Sequence, residues 1–227
     1  MDLTAVFLDA GGVIIDETDH ERIRAEITVE LLRSVVADYK MANYWSDVED
    51  AVRAYCPEVY QYVFFKYLKH DASLFQKLYS NHQALWQERR SPPALNEAIA
   101  DEIRQLSHNF RIGIAGQYGV EILALLEKHR LLDCFAWRVT QDDFTITKPD
   151  PRYLDRILAA CGVSPGEAVM VGDRIDKDVV PARQVGMKTV LIRRGIHKNQ
   201  KPRIPSDRPD VELTQIAGLA AAVATLQ

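Results

Sequence analysis

Short apolar runs that stop at an acid or a glycine, and that alternate with helical stretches, constrain this chain more than any other feature. The first is Ala5-Val6-Phe7-Leu8, ending in Asp9 and followed by Gly11-Gly12. Four consecutive apolar residues punctuated by glycine read as a buried strand. Beyond residue 110 the same texture repeats. The pattern predicts strands at Ile112–Ala115, Phe135–Val139, Ala168–Val171 and Thr189–Ile192, and helices at Val120–His129, Pro151–Cys161, Val179–Val185 and Leu213–Leu226. That alternation implies βαβ units and a doubly wound, mainly parallel α/β sheet. Ligands of such sheets sit outside the carboxyl ends of the strands, where Asp9, Gly116-Gln117 and Asp173 fall.

Between the first strand and the rest, the pattern is helical. Ile23, Ile27, Leu31, Val35 and Tyr39 recur every four residues, residues 45–90 continue without strand alternation, and Ser91-Pro92-Pro93 breaks the run. A further helix follows, with Leu95, Ile99, Ile103 and Leu106 on one face. The expected organisation is a core of residues 1–15 and 91–227 interrupted by a helical insertion, 16–90, in the position of a lid. The basic, proline-containing stretch from Arg193 to Arg203 reads as a solvated loop.

Composition narrows the function classes. Hydrophobic residues at 47% and charged residues at 26% argue against disorder. A net charge of −4 supplies no basic field for nucleic acid. Cys56, Cys134 and Cys161 are too few and too scattered for a disulfide framework or a CxxC metal site. The start, Met1-Asp2-Leu3-Thr4, lacks a signal-peptide pattern, and Ile216–Leu226 is well short of the ~20 apolar residues of a spanning helix. The expectation is a cytoplasmic protein, monomer or homodimer, with neither nucleic acid nor membrane as partner.

Four segments in order carry a resemblance. Phe7-Leu8-Asp9-Ala10-Gly11-Gly12-Val13-Ile14, Gly113-Ile114-Ala115-Gly116-Gln117, Thr147-Lys148-Pro149-Asp150-Pro151 and Val171-Gly172-Asp173-Arg174-Ile175-Asp176-Lys177-Asp178 resemble motifs I to IV of the haloacid dehalogenase superfamily. The matching subgroup inserts a helical cap after motif I. The resemblance covers the core and implies a Rossmann-like catalytic domain. It makes Asp9 the nucleophile and a metal ligand. Asp173 would be a direct ligand, Asp178 a direct or water-mediated one, and the Gly11 carbonyl another. Lys148 would neutralise charge on Asp9 and on the transferring group, and Gly116 and Gln117 would face the substrate phosphate. The reaction implied is attack by Asp9 on phosphorus and hydrolysis of the aspartyl-phosphate.

The charges argue the same way. Three carboxylates at one sheet edge against one lysine leave a net charge that a divalent cation offsets, and all-oxygen ligation suits Mg²⁺. Asp176 reads as a helix cap rather than a ligand.

Two departures from the family pattern matter. Gly11 stands where the phosphatases carry an aspartate that serves as general acid and base, and Gly116 stands where they carry a serine or threonine. Leaving groups that need no proton are then favoured, or an acid near the start of the insertion (Asp16, Glu17, His20, Glu21), or Tyr118, substitutes. Phosphatase chemistry on a small phosphorylated substrate is the main expectation, with a non-catalytic binder of metal or phosphorylated ligand as the alternative. A dehalogenase fits less well because Gly172-Asp173 is intact. A phosphonatase would need a Schiff-base lysine from Lys40, Lys66, Lys69 or Lys77. The spacing Gly113-x-x-Gly116-x-x-Gly119 departs from the dinucleotide fingerprint.

Overall fold

The computed structural model describes residues 2–227. In chain order the elements are β1 (Ala5–Leu8), β2 (Ile15–Asp16), α1 (Thr18–Leu32), α2 (Met41–Arg53), α3 (Val59–Leu68), α4 (Ala72–Arg89), β3 (Ala94–Leu95), α5 (Ile99–Ser107), β4 (Arg111–Ile114), α6 (Glu121–Lys128), α7 (Pro151–Cys161), β5 (Ala168–Gly172), α8 (Val180–Val185), β6 (Lys188–Ile192), β7 (Val211–Leu213) and α9 (Leu219–Ala224).

The main sheet is parallel, in the order β4-β1-β5-β6-β7. β1 is an interior strand between β4 and β5, with Ala5 opposite both Arg111 and Ala168. All of β1 is buried, which is why it reads as an uninterrupted apolar run. Alternate residues serve the two faces. Val6 and Leu8 join Ile112, Ile114, Val169 and Val171 in one core with Ile99, Ile103, Ile122 and Leu219 from α5, α6 and α9. Ala5 and Phe7 join Met170 in a second core with Tyr153, Leu154, Ile157 and Leu158 of α7. Helix α7 starts at a clear signal: the Asp150 side chain accepts the Arg152 N–H, Pro151 takes the first helical position, and Gly162 closes the helix in a left-handed conformation.

The described chain falls into two compact units, one running to Asp16 and resuming at Pro93, the other spanning Glu17–Pro92. In the second unit α1 and α4 pack through Ile23, Ile27 and Trp86, while Tyr44, Val48, Ala51 and Val52 form the buried face of α2. In the first unit, β2 and β3 pair antiparallel, Ile15 with Leu95 and Asp16 with Ala94, where the chain leaves the sheet domain and returns to it.

Several local expectations are corrected. The segment 135–139 is no strand: Ala136 and Trp137 both donate to the Ile112 carbonyl, a single bridge joins Phe135 to β4, and the Trp137 ring stacks on Phe7. The first insertion helix ends at Leu32. Val35 is exposed, and Tyr39 turns its hydroxyl to Asp47. Leu95 belongs to β3 rather than α5. The final helix begins only at Leu219, because Gly218 has φ +92° and the residues before it supply strand β7. The stretch after β6 is not wholly solvated: His197 and Gln200 are buried.

Candidate active site

The carboxyl ends of β1 and β5 hold the chemistry. The Asp9 amide donates to the Val171 carbonyl at 2.8 Å, which extends the strand pairing by one residue and sets Asp9 at the sheet edge. The chain then turns: Ile14 and Ile15 both donate to the Ala10 carbonyl, and Gly12 adopts φ +70°. A Cβ on Gly12 would lie 2.6 Å from Asp173 Oδ2, so glycine is what admits Asp173 beside this turn. Asp178 approaches in the same way, since a Cβ on Gly172 would lie 2.3 Å from its Cγ.

Lys148 joins these acids. Its Nζ donates to Asp9 Oδ1 at 2.7 Å and to Asp178 Oδ1 at 2.5 Å, and the side chain is 2% exposed. Burial opposes the lysine charge, but Asp178 and Asp9 outweigh it and hold the ammonium above its ordinary range. Burial pushes the Asp178 carboxyl up; Lys148 opposes this and the Asp9 charge adds to it. One oxygen from each of Asp9, Asp173 and Asp178 lies within 4.8 Å of the others.

Three carboxylates with one ammonium leave an excess of negative charge in a buried place. Hard oxygen donors at this spacing fit a divalent cation such as Mg²⁺. Lys148 alone cannot balance them. The cluster therefore fits the expected cation, with Gly11 in the adjoining turn, bridged to Ile15.

Gly116 and Gln117 follow β4, Gly116 buried and Gln117 half-buried. The Gly116 carbonyl accepts the buried Tyr153 hydroxyl at 3.0 Å. A Cβ on Gly116 would lie 2.3 Å from Ala10 Cβ and 2.5 Å from Ala10 N. Glycine is thus built into the packing at the position where the family pattern carries a hydroxyl residue.

The candidate replacement acids are differently engaged. Asp16 faces Arg194 at 4.0 Å. His20 lies 2.8 Å from the Ser91 carbonyl and packs edge-on against Trp86. Glu21 accepts the Tyr60 hydroxyl, and burial raises its carboxyl to about 7, a range suited to a proton donor at neutral pH. Among the lysines, Lys66 is tied to Asp47 at 2.6 Å and Asp50 at 2.9 Å, which holds it charged and unsuited to Schiff-base chemistry.

Sequence reasoning missed one group. Asp176 is no cap: both its oxygens pair with the Arg174 guanidinium, and Gln200 donates to it at 2.9 Å. Gln200 lies far along the chain inside a basic stretch, and no spacing rule marks it.

The HAD-hydrolase-like family model matches residues 145–219, the segment containing Lys148, Asp173 and Asp178. A glyceraldehyde 3-phosphate phosphatase of Methanopyrus kandleri is 43% identical over 75 residues, 33% of this chain and 32% of that protein. The match thus spans about a third of that relative's length. A phosphoserine phosphatase of Thermus thermophilus is 29% identical over 177 residues, 76% of this chain and 68% of that one. Among solved structures, the HAD-hydrolase YfnB of Bacillus subtilis, described as bound to magnesium, has a TM-score of 0.68 at 17% identity, covering 98% of this chain and 99% of its own. No helix among the described residues is long and apolar enough to cross a membrane.

Proposed function

We propose that this member of the haloacid dehalogenase-like hydrolases is a phosphatase that uses Mg²⁺ and acts on a small phosphorylated substrate through Asp9. The observation that carries the reading is the convergence of Asp9, Asp173 and Asp178 at one sheet edge, with Lys148 paired to Asp9 and Asp178. Asp9, Asp173 and Asp178, with the Gly11 carbonyl, would hold the cation. When bound, it would offset the carboxylate charge and polarise the phosphoryl oxygens.

The chain's own residues do the rest. Asp9 forms a bond to phosphorus as the bond from phosphorus to the leaving oxygen breaks, and the leaving group carries away the electron pair. Water then attacks the phosphorus of the aspartyl-phosphate, releasing phosphate and restoring the carboxylate. Lys148, fixed against Asp9, orients the nucleophile and offsets charge gathering on the phosphoryl oxygens. The Glu17–Pro92 unit would serve as the cap and set specificity.

Gly11 offers no proton. General acid–base catalysis contributes typically ~10²–10⁴-fold, or roughly 3–5 kcal/mol. A missing hydrogen bond to a charged phosphoryl oxygen at Gly116 removes about 1.5–3 kcal/mol more. The first loss bears least on acyl and aryl phosphates, whose leaving groups need no proton. We place the protein in the cytoplasm, consistent with Cys56, Cys134 and Cys161 all being free thiols.

The second reading, a binder of a phosphorylated ligand without turnover, is favoured by the closed packing of Gly116 on Ala10. Release of phosphate from 4-nitrophenyl phosphate and acetyl phosphate, with Mg²⁺ and with chelator, separates the two. The first reading expects turnover that disappears both with chelator and in Asp9→Asn, while the variant stays folded by circular dichroism. Turnover that survives in Asp9→Asn rejects Asp9 as nucleophile, and a folded wild-type protein without turnover selects the second reading.

A further inference from the structure

Gln200 sits in the loop after β6, 2% exposed, with its side-chain amide against the acidic turn that follows β5. Its Oε1 accepts the Ile175 N–H at 2.7 Å, and its Nε2 donates to Asp176 Oδ1 at 2.9 Å. We propose that Gln200 is a positioning residue for the carboxylate cluster: it fixes the turn carrying Asp173 and Asp178 and keeps Asp176 out of the donor set. The inference rests on reading Asp9, Asp173 and Asp178 as a cation site.

The turn needs such support. Ile175–Val179 form one π-helical turn, in which the Val179 N–H reaches back to the Arg174 carbonyl. That conformation is uncommon and occurs frequently at functional sites. The first N–H groups of any helical turn lack partners within it. Here Asp178 Oδ2 takes the Arg174 N–H at 3.0 Å, and Gln200 takes the next, that of Ile175. Remove the amide and a buried donor is left without its acceptor.

The amide also settles which acids are available. Asp176 is close in sequence to Asp178, yet Arg174 holds it through contacts of 3.1 and 2.6 Å, and Gln200 completes its shell. The amide meets both needs at once, accepting from Ile175 through Oε1 and donating to Asp176 through Nε2.

Gln200 is itself braced. Its carbonyl accepts from the Arg193 guanidinium, which makes a two-point pair with Glu212 on β7 at 3.0 and 2.9 Å. The Arg193 amide donates to the Leu213 carbonyl at 2.7 Å. The same loop skirts the site at Gly195, where a Cβ would lie 3.9 Å from Asp173 Oδ2. The far edge of the sheet is thereby coupled to the acidic turn.

The test uses the full chain and Mn²⁺ alone as probe, with free Mn²⁺ read by electron paramagnetic resonance and folding by circular dichroism. Gln200→Ala and Gln200→Glu are each expected to weaken Mn²⁺ binding by about 10–100-fold, the effect usual for residues that hold metal ligands in place. Gln200→Glu sets two carboxylates face to face. Adding Asp176→Asn remakes that hydrogen bond in the opposite direction, at the expense of the Arg174 Nε contact to the same atom, and is expected to recover part of the affinity. Wild-type affinity in folded Gln200→Ala and Gln200→Glu overturns the proposal. So does a rescue of thermal stability in the double variant without a rescue of affinity. Should either single variant fail to fold, the double variant against wild type decides, because the proposal requires binding within about 10-fold of wild type there. Absence of Mn²⁺ uptake by the wild-type protein instead overturns the cation-site reading, and this role with it.

Discussion

Gly116 packs so closely on Ala10 that a Cβ added to it would fall 2.5 Å from the Ala10 amide nitrogen and 2.3 Å from its Cβ. Backbone lies on the other side of that contact, so no rotamer change relieves it. Gly116→Ser, which would supply the hydroxyl of the family pattern, is therefore predicted to destabilise the protein by about 1–3 kcal/mol through overpacking. Urea denaturation measures this. Gly116→Ser combined with Ala10→Gly should recover part of the loss, since it removes one of the two colliding atoms.

The neighbouring glycine behaves differently. Gly12 is the residue of this turn with left-handed backbone, φ +70°. Gly11→Asp places a carboxyl where the phosphoryl-transfer reading lacks a proton donor. It is expected to raise kcat/KM on alkyl phosphates relative to aryl phosphates, by an amount approaching the ~10²-fold low end of general acid catalysis. An unchanged alkyl-to-aryl ratio would show that the acid already comes from elsewhere.

Lys148 neutralises part of a buried acidic cluster, so its removal should be felt first in folding. Lys148→Met leaves Asp9 and Asp178 without their shared ammonium, and breaking a buried pair from one side costs about 3–5 kcal/mol. Mg²⁺ should restore more stability to this variant than it adds to wild type, because the cation then meets a larger excess charge. Denaturation midpoints with and without Mg²⁺ check both expectations.

Glu21 gives the helical unit a pH signature of its own. Burial raises its carboxyl from 4.5 to about 7, against the Tyr60 hydrogen bond and Arg24, with Glu17 reinforcing the rise. The folded state therefore keeps this proton after the unfolded state has lost it. The stabilisation is complete below pH 4.5 and is lost as pH rises through about 7. His82 has the opposite sign: burial, with Arg24 beside it, lowers its imidazole from 6.5 to about 4, so stability is lost as pH falls through that window. The two trends largely cancel in wild type. Glu21→Gln removes one of them, and its stability relative to wild type should climb by at most about 1.4 kcal/mol per pH unit between those limits. Denaturation at a series of pH values checks the slope.

Much of the core was legible because its signals are local. Ala5–Leu8 is buried on both faces and so consists only of apolar residues. Asp150-Pro151 and Gly162 announce both ends of α7. The acids Asp9, Asp173 and Asp178 are marked by the resemblance of their segments to the superfamily's motifs, and the structure brings them together beside Lys148. Other features depend on what the chain meets in space. Phe135 and Trp137 have strand-like chemistry, yet the segment touches β4 at one residue and turns its indole onto Phe7. Val211–Leu213 is too short for a pattern and becomes a strand only because β6 offers it an edge. Gln200 looked like part of a solvated basic loop, since nothing local reveals that Arg193 is spent on Glu212 or that an amide is wanted by Ile175.

The small antiparallel pair of Ile15–Asp16 with Ala94–Leu95 has a further consequence. It ties the two chain crossings together at one point, so the sheet domain experiences everything from Glu17 to Pro92 as a single closed loop. Closing a loop grows only slowly more expensive with length, by about 0.6 kcal/mol per doubling. Such a junction works as a socket: what is plugged into it can be lengthened, shortened or exchanged while β1, and Asp9 at its end, keep the same neighbours.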